Sequence, residues 1–290
     1  MAGIGWKIDI GCDLPPLPAF DPLPPVAHRD TLFASCNLRN ENTQLKGIER
    51  LPVLAAICVP FCTIAAPNEI KVFTDEMAAF GEHTLETHVN KASRAGPAAD
   101  NRAVPVQVMP EYSYGIWRNW EFSLQLPLAN QQDRVRTNGY RTELQYVAPH
   151  AEEEGFYWGT NLEFANLARN GEARIWNLEF TPILGLRVDR WHLSANPGVT
   201  RALSGTERRT NFEPAAKAAY RAFGKNYFGL EYYLEAGPIH HLLPNRQRSQ
   251  VLYFAWDGKI AKSDLNVGIG RGFTNASDRW VLKAVFEFAF

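Results

Sequence analysis

His192 and Ser194 stand two residues apart. On a strand that spacing puts both on one face, where an imidazole could take the hydroxyl proton and make Ser194 a nucleophile toward an ester. The other neighbouring imidazoles, His240 and His241, have no third ligand at metal-binding spacing and read as a solvated loop pair. A larger set is acidic: Glu86, Glu111, Glu121, Glu143, Glu163, Glu179, Glu213, Glu231, Glu235, Asp264 and Glu287. It is answered by only Arg141, Lys217 and Lys283, with His88 and His192 titratable. No cofactor motif and no metal set accompanies them. What these groups do depends on which face of which element carries them.

The elements are strands. From residue 84 onward, apolar and polar residues alternate with period two in about twelve segments separated by turn formers. Trp120, Phe122, Leu124, Leu126 and Leu128 oppose Glu121, Ser123 and Gln125; Trp191, Leu193 and Ala195 oppose His192, Ser194 and Asn196. In the last strand Trp280, Leu282, Ala284, Phe286, Phe288 and Phe290 oppose Lys283 and Glu287. The segment near residues 251–256 alternates poorly, and Asp257-Gly258 after it reads as a two-residue hairpin turn. Long connections (residues 92–103, 129–139, 200–211 and 237–249) follow odd strands, and shorter ones mostly follow even strands. Pro110, Pro182, Pro197 and Pro214 each remove a ladder hydrogen bond, and some are expected at bulges.

The chain has 290 residues, a formal net charge of -1 and a mean hydropathy of -0.27. No run approaches the ~20 apolar residues of a spanning helix, and no basic field suits nucleic acid. Alternation alone does not separate a soluble sandwich from a barrel in lipid. The aromatics decide, because Trp120, Tyr140, Phe156, Trp158, Trp176, Trp191, Tyr220 and Trp280 cluster near strand ends, as interfacial girdles do. The expected fold is therefore all-β: an antiparallel transmembrane β-barrel of about 12 strands over residues 83–290. The acidic set would line its lumen, and a slip of one residue would carry carboxylates into lipid.

All four cysteines lie in the first 62 residues, and seven of eight tryptophans lie beyond residue 116. Residues 45–65 join a basic flank, a short apolar run and small residues at Thr63 and Ala65, the pattern of a cleaved signal peptide. Residues 1–44, rich in proline, read as a non-globular leader. Translation is expected to start near Leu45, which N-terminal sequencing of the precursor would test. Residues 66–82 read as a periplasmic segment before the barrel.

The terminal strand resembles the closing strand of Gram-negative outer-membrane barrels. The resemblance makes Trp280, Phe286, Phe288 and Phe290 an assembly signal for the barrel-assembly machinery. Residues 111–127, with Tyr114-Gly115, Trp120-Glu121 and a closing Leu126-Pro127, resemble a hairpin of a family of outer-membrane transporters named for a meta-pathway of phenol degradation. Residues 81–88 fit the same pattern. That resemblance implies a cell outer-membrane location, lipid and a small solute as partners, and porin-like transport of hydrophobic or aromatic compounds. It supplies no catalytic residues. The His-x-Ser spacing is also used by outer-membrane phospholipases and lipid A deacylases, whose pair faces lipid; here Trp191, Leu193 and Ala195 claim that side. An outer-membrane esterase is thus the alternative reading, beside a structural or ligand-binding barrel acting through its outer loops. An acidic lumen that conducts would favour cations.

Overall fold

A computed structural model describes residues 70–93, 106–131, 134–151, 153–168, 173–206, 208–260 and 263–290. The expected leader and signal peptide, residues 1–65, fall outside the described residues. Twelve strands form the wall: β1 (His83–Ser93), β2 (Gln107–Trp117), β3 (Trp120–Gln125), β4 (Gly139–Val147), β5 (Gly155–Leu167), β6 (Ile175–Val188), β7 (Trp191–Ala202), β8 (Thr210–Phe223), β9 (Asn226–Glu235), β10 (Ser249–Ile260), β11 (Ser263–Gly272) and β12 (Trp280–Ala289). Each pairs antiparallel with its sequence neighbours, and β12 returns to β1 from Thr84↔Ala289 to Ser93↔Trp280. The sheet therefore has no free edge, which is what lipid requires of backbone N–H and C=O groups.

Tight turns join β2 to β3, β6 to β7 and β8 to β9. Asn119, Asp189 and Gly224 take positive φ there, the twist that two-residue hairpins need. These turns share an end with the start of β1 and the finish of β12, and the long connections lie at the other. By the rule of short periplasmic turns and long outer loops, the first end is periplasmic.

Burial is inverted relative to a soluble protein. Phe254 is 55% exposed and Leu230 49%, whereas Glu231 is 1% exposed and Gln125 fully buried. In water such a surface would be unstable; in a bilayer the exposed rows meet acyl chains. Trp120 packs on Tyr146 (4.8 Å between ring centroids) and Trp191 on Tyr220 (5.1 Å), building an aromatic rim at the periplasmic end. Among the described strand residues the only charged side chains in phase with this lipid-facing row are Lys91, Arg201 and Arg271, all near the outer end.

Three sequence expectations change. Asp257 and Gly258 do not form a turn; they lie within β10, paired with Asn266 and Leu265. The Asp257 carboxylate finds Lys217 (2.9 Å) inside the barrel, and this contact overrides the local turn preference. The long connection expected over residues 129–139 contains a short hairpin, Leu128–Gln131 with Arg134–Thr137. The prolines also sit in register. Pro197 is opposite Pro214, and the β6–β7 ladder keeps one register on either side of Pro182, from Phe180↔Val199 to Leu184↔Ala195. Missing donors interrupt the bonding there without a bulge; register shifts occur at Gly115/Trp117 and Arg221/Phe223.

Inside, Tyr157 lies flat over Gly185 of the next strand, where an added Cβ would stand 1.8 Å from the ring. Gly185→Ala is expected to push Tyr157 off this seat and cost about 1–3 kcal/mol by overpacking. The fall in urea midpoint of the refolded barrel measures it.

Candidate functional site

Residues 70–80 belong to the stretch expected in the periplasm, yet they run inside the barrel against its inner wall. Ile70 is buried among Ala92, Val251, Tyr253 and Val281, and Phe73 packs with Tyr157 and Ile183. Burying each of these two side chains stabilises the seated segment by about 1.5–3 kcal/mol, which explains why the segment is not in water. Polar groups of the wall hold its backbone. Lys283 Nζ donates to Ile70 O (3.2 Å), Ser194 Oγ and Asn196 Nδ2 donate to Phe73 O (2.7 and 3.1 Å), and Gln145 Nε2 donates to Glu76 O (3.1 Å). The Ala78 N–H donates to the Glu121 carboxylate. Phe80 bridges Gly115, and Gly81, at φ 82°, turns the chain into β1.

Two ionic contacts fix the segment most firmly. Asp75 receives both a 2.9 Å and a 2.6 Å hydrogen bond from Arg187, with His150 Nε2 at 2.9 Å and His192 Nε2 at 3.6 Å. Lys71 Nζ lies 2.9 Å from Glu86. The second contact has an electrostatic cause in the wall. Cross-strand register sets Asp264 beside Glu287, Glu287 beside Glu86, and Glu86 beside Glu111. Like charges directly opposite destabilise a sheet, and Lys71 supplies counter-charge to this acidic row, while His88 Nε2 lies 2.6 Å from Glu86 and 3.2 Å from Glu111.

The other inward residues form two networks. Gln125 donates to Glu111 (3.0 Å) and Glu143 (2.6 Å), and Arg141 pairs with Glu163 at 3.1 Å. Across the barrel Glu231 contacts Lys283 directly, accepts from Tyr233 Oη (2.6 Å) and lies 3.9 Å from Lys217. Nearer the outer end Thr200 donates toward Glu179 (3.1 Å) and Glu213 (3.0 Å). Asp264 meets Lys259 at 2.6 Å, and Glu235 lies at the outer end of β9, half-buried. Sequence reasoning had no signal for Lys71, Asp75 or Arg187.

The remaining candidates fall as follows. Ser194 Oγ spends its proton on Phe73 O, and His192 Nε2 meets Tyr157 Oη (2.8 Å); both side chains are buried on the inner side, away from lipid. His240 and His241 are exposed in the outer loop. Glu86, His88 and Glu111 offer metal-ligating atoms within 4.8 Å of one another; the Lys71 ammonium already contacts Glu86, and the Gln125 amide donates to Glu111. Trp280, Phe286, Phe288 and Phe290 are exposed on the outer face, and Phe290 N donates to His83 O (2.9 Å).

A closed twelve-stranded antiparallel wall, an apolar exterior and a polar interior define a β-barrel of the outer-membrane type. One solved structure agrees on the fold. An outer membrane channel from Pseudomonas putida F1 superposes with a TM-score of 0.56 at 11% identity, over 77% of this chain and all of that one. Outer membrane phospholipase A from Escherichia coli (TM-score 0.43, 10% identity, 72% of this chain and 97% of that one) and LpxR from Salmonella typhimurium (0.40, 8%, 71% and 99%) align less well. No family model and no curated protein matches the sequence.

Proposed function

We propose that this protein is an outer-membrane transporter that passes small solutes, hydrophobic or aromatic ones among them, when residues 70–80 withdraw from the barrel. It would thus act as the phenol-degradation transporters that its 111–127 hairpin resembles. The observation that carries this reading is that an extended peptide, not side chains alone, fills the interior. Space that holds a peptide backbone lengthwise holds a small aromatic molecule once the peptide leaves. Withdrawal also takes away Lys71 and uncovers the row of Asp264, Glu287, Glu86 and Glu111, so the open lumen should favour cations over anions.

Refolded full-length protein in planar bilayers tests this. Cation-selective single channels, with uptake of a small phenol into liposomes, are expected; anion selectivity, or liposomes no more permeable to phenol than protein-free ones, overturns it. Ser194→Ala separates the hydrolase alternative. Ester hydrolysis in refolded protein that disappears with this substitution would favour an enzyme; on the transport reading the substitution costs only a plug hydrogen bond, about 1 kcal/mol. Deleting outer loops without changing conductance, while abolishing ligand binding, would instead favour a loop-borne function.

A further inference from the structure

Among the described strand residues, lipid-facing charge is confined to Lys91, Arg201 and Arg271, and all three are cations near the outer rim. A membrane-embedded face tolerates cations there only where an interface or an anion receives them. Beside Arg271 the wall also has a built hollow. Tyr232 and Leu234, in phase with the exposed Phe228 and Leu230, form its floor, and Gln250, Arg246, Arg248 and Phe273 complete most of its lining, with a volume of about 540 Å³. No carboxylate is among the lining residues.

Arg248 is held from the protein side. Arg248 Nε donates to Leu243 O (2.6 Å), and the Arg248 carbonyl accepts from Thr274 Oγ1 (2.6 Å), tying the connection before β10 to the one after β11. Tyr232 Oη donates to Gln250 (3.1 Å), which closes the floor. Next to the hollow, the Arg271 guanidinium lies 4.8 Å over the Trp280 ring, at the height where an aromatic rim meets headgroups. Two guanidinium forks over an apolar floor, open to the lipid side at the outer end, match a phosphorylated headgroup whose acyl chains descend along the wall.

We propose that this hollow binds the phosphorylated headgroup of the outer-leaflet glycolipid, with Arg246 and Arg248 on a phosphate and Tyr232, Leu234 and Phe273 against the sugar and first methylenes. The site lies on the outer wall and is independent of the lumen and its plug.

Native mass spectrometry of the full-length protein in detergent tests it, with bisphosphorylated lipid A, dephosphorylated lipid A and inorganic phosphate as probes. Bisphosphorylated lipid A is expected to bind at least tenfold more tightly than the dephosphorylated form and to resist displacement by millimolar phosphate. Arg246→Glu/Arg248→Gln should weaken it tenfold or more while heat-modifiable gel migration is kept. Arg246→Glu alone, at an exposed side chain, serves if the double variant does not fold. Equal affinity for the two lipids, displacement by inorganic phosphate, or a folded variant that binds as wild type overturns the assignment.

Discussion

Asp75→Ala is expected to raise the open fraction of the channel by on the order of 100-fold. The carboxylate it removes holds Arg187 in a two-bond contact and also faces His150 and His192. Deleting one partner of a buried ion pair costs about 3–5 kcal/mol, because the other charge is left without compensation. Arg187 retains some access to water, its side chain being 17% exposed, so the low end of that range applies. This cost falls only on the seated state, since a withdrawn plug leaves Arg187 facing water in either protein. About 3 kcal/mol at 1.4 kcal/mol per decade gives the expected shift. Single-channel recordings of the full chain measure it. An unchanged open fraction and conductance would mean that the segment does not gate.

Lys283→Met should be the most destabilising single change in the wall, about 3–5 kcal/mol, read as a lower urea midpoint. It strips Glu231 of its direct partner, leaving Lys217 at 3.9 Å, and it also removes the donor to Ile70 O. Adding Glu231→Gln should restore most of the loss, because a neutral pair in place of a buried ionic one is close to neutral in stability. The Ile70 bond is not restored, so a deficit of about 1 kcal/mol should persist. A double variant as weak as the single one would show that Lys283 acts through something other than Glu231.

The alternation of Trp120 with Glu121, or Trp191 with His192, is local information, and it was enough to place twelve strands and to tell which face meets lipid. The contacts that organise the interior are different in kind. Glu231 and Lys283 sit on β9 and β12, which do not neighbour each other; only closure of the wall brings them together. The plug was missed because Ile70, Val72, Phe73 and Thr74 are all buried, on both sides of the segment, and only half-buried Lys71 and Asp75 interrupt them, so no period appears. One trace of it was present in the chain. The poorly alternating residues 251–256 carry Val251 and Tyr253 on the inner face, where Ile70 packs. Apolar residues on the inner face, here and at Tyr157, Ile183 and Val281, are the footprint of something seated against them. Asp257-Gly258 failed for a related reason, since its turn preference is weaker than the ion pair Asp257 makes with Lys217 across the interior.

The turn at Gly81 links the inserted segment covalently to β1. A segment that leaves the barrel is therefore still leashed at its mouth, at an effective concentration on the order of millimolar. On the proposed gating, reclosure would be a first-order event whose rate is independent of protein density in the membrane, and each barrel would close itself without waiting for a partner to diffuse to it.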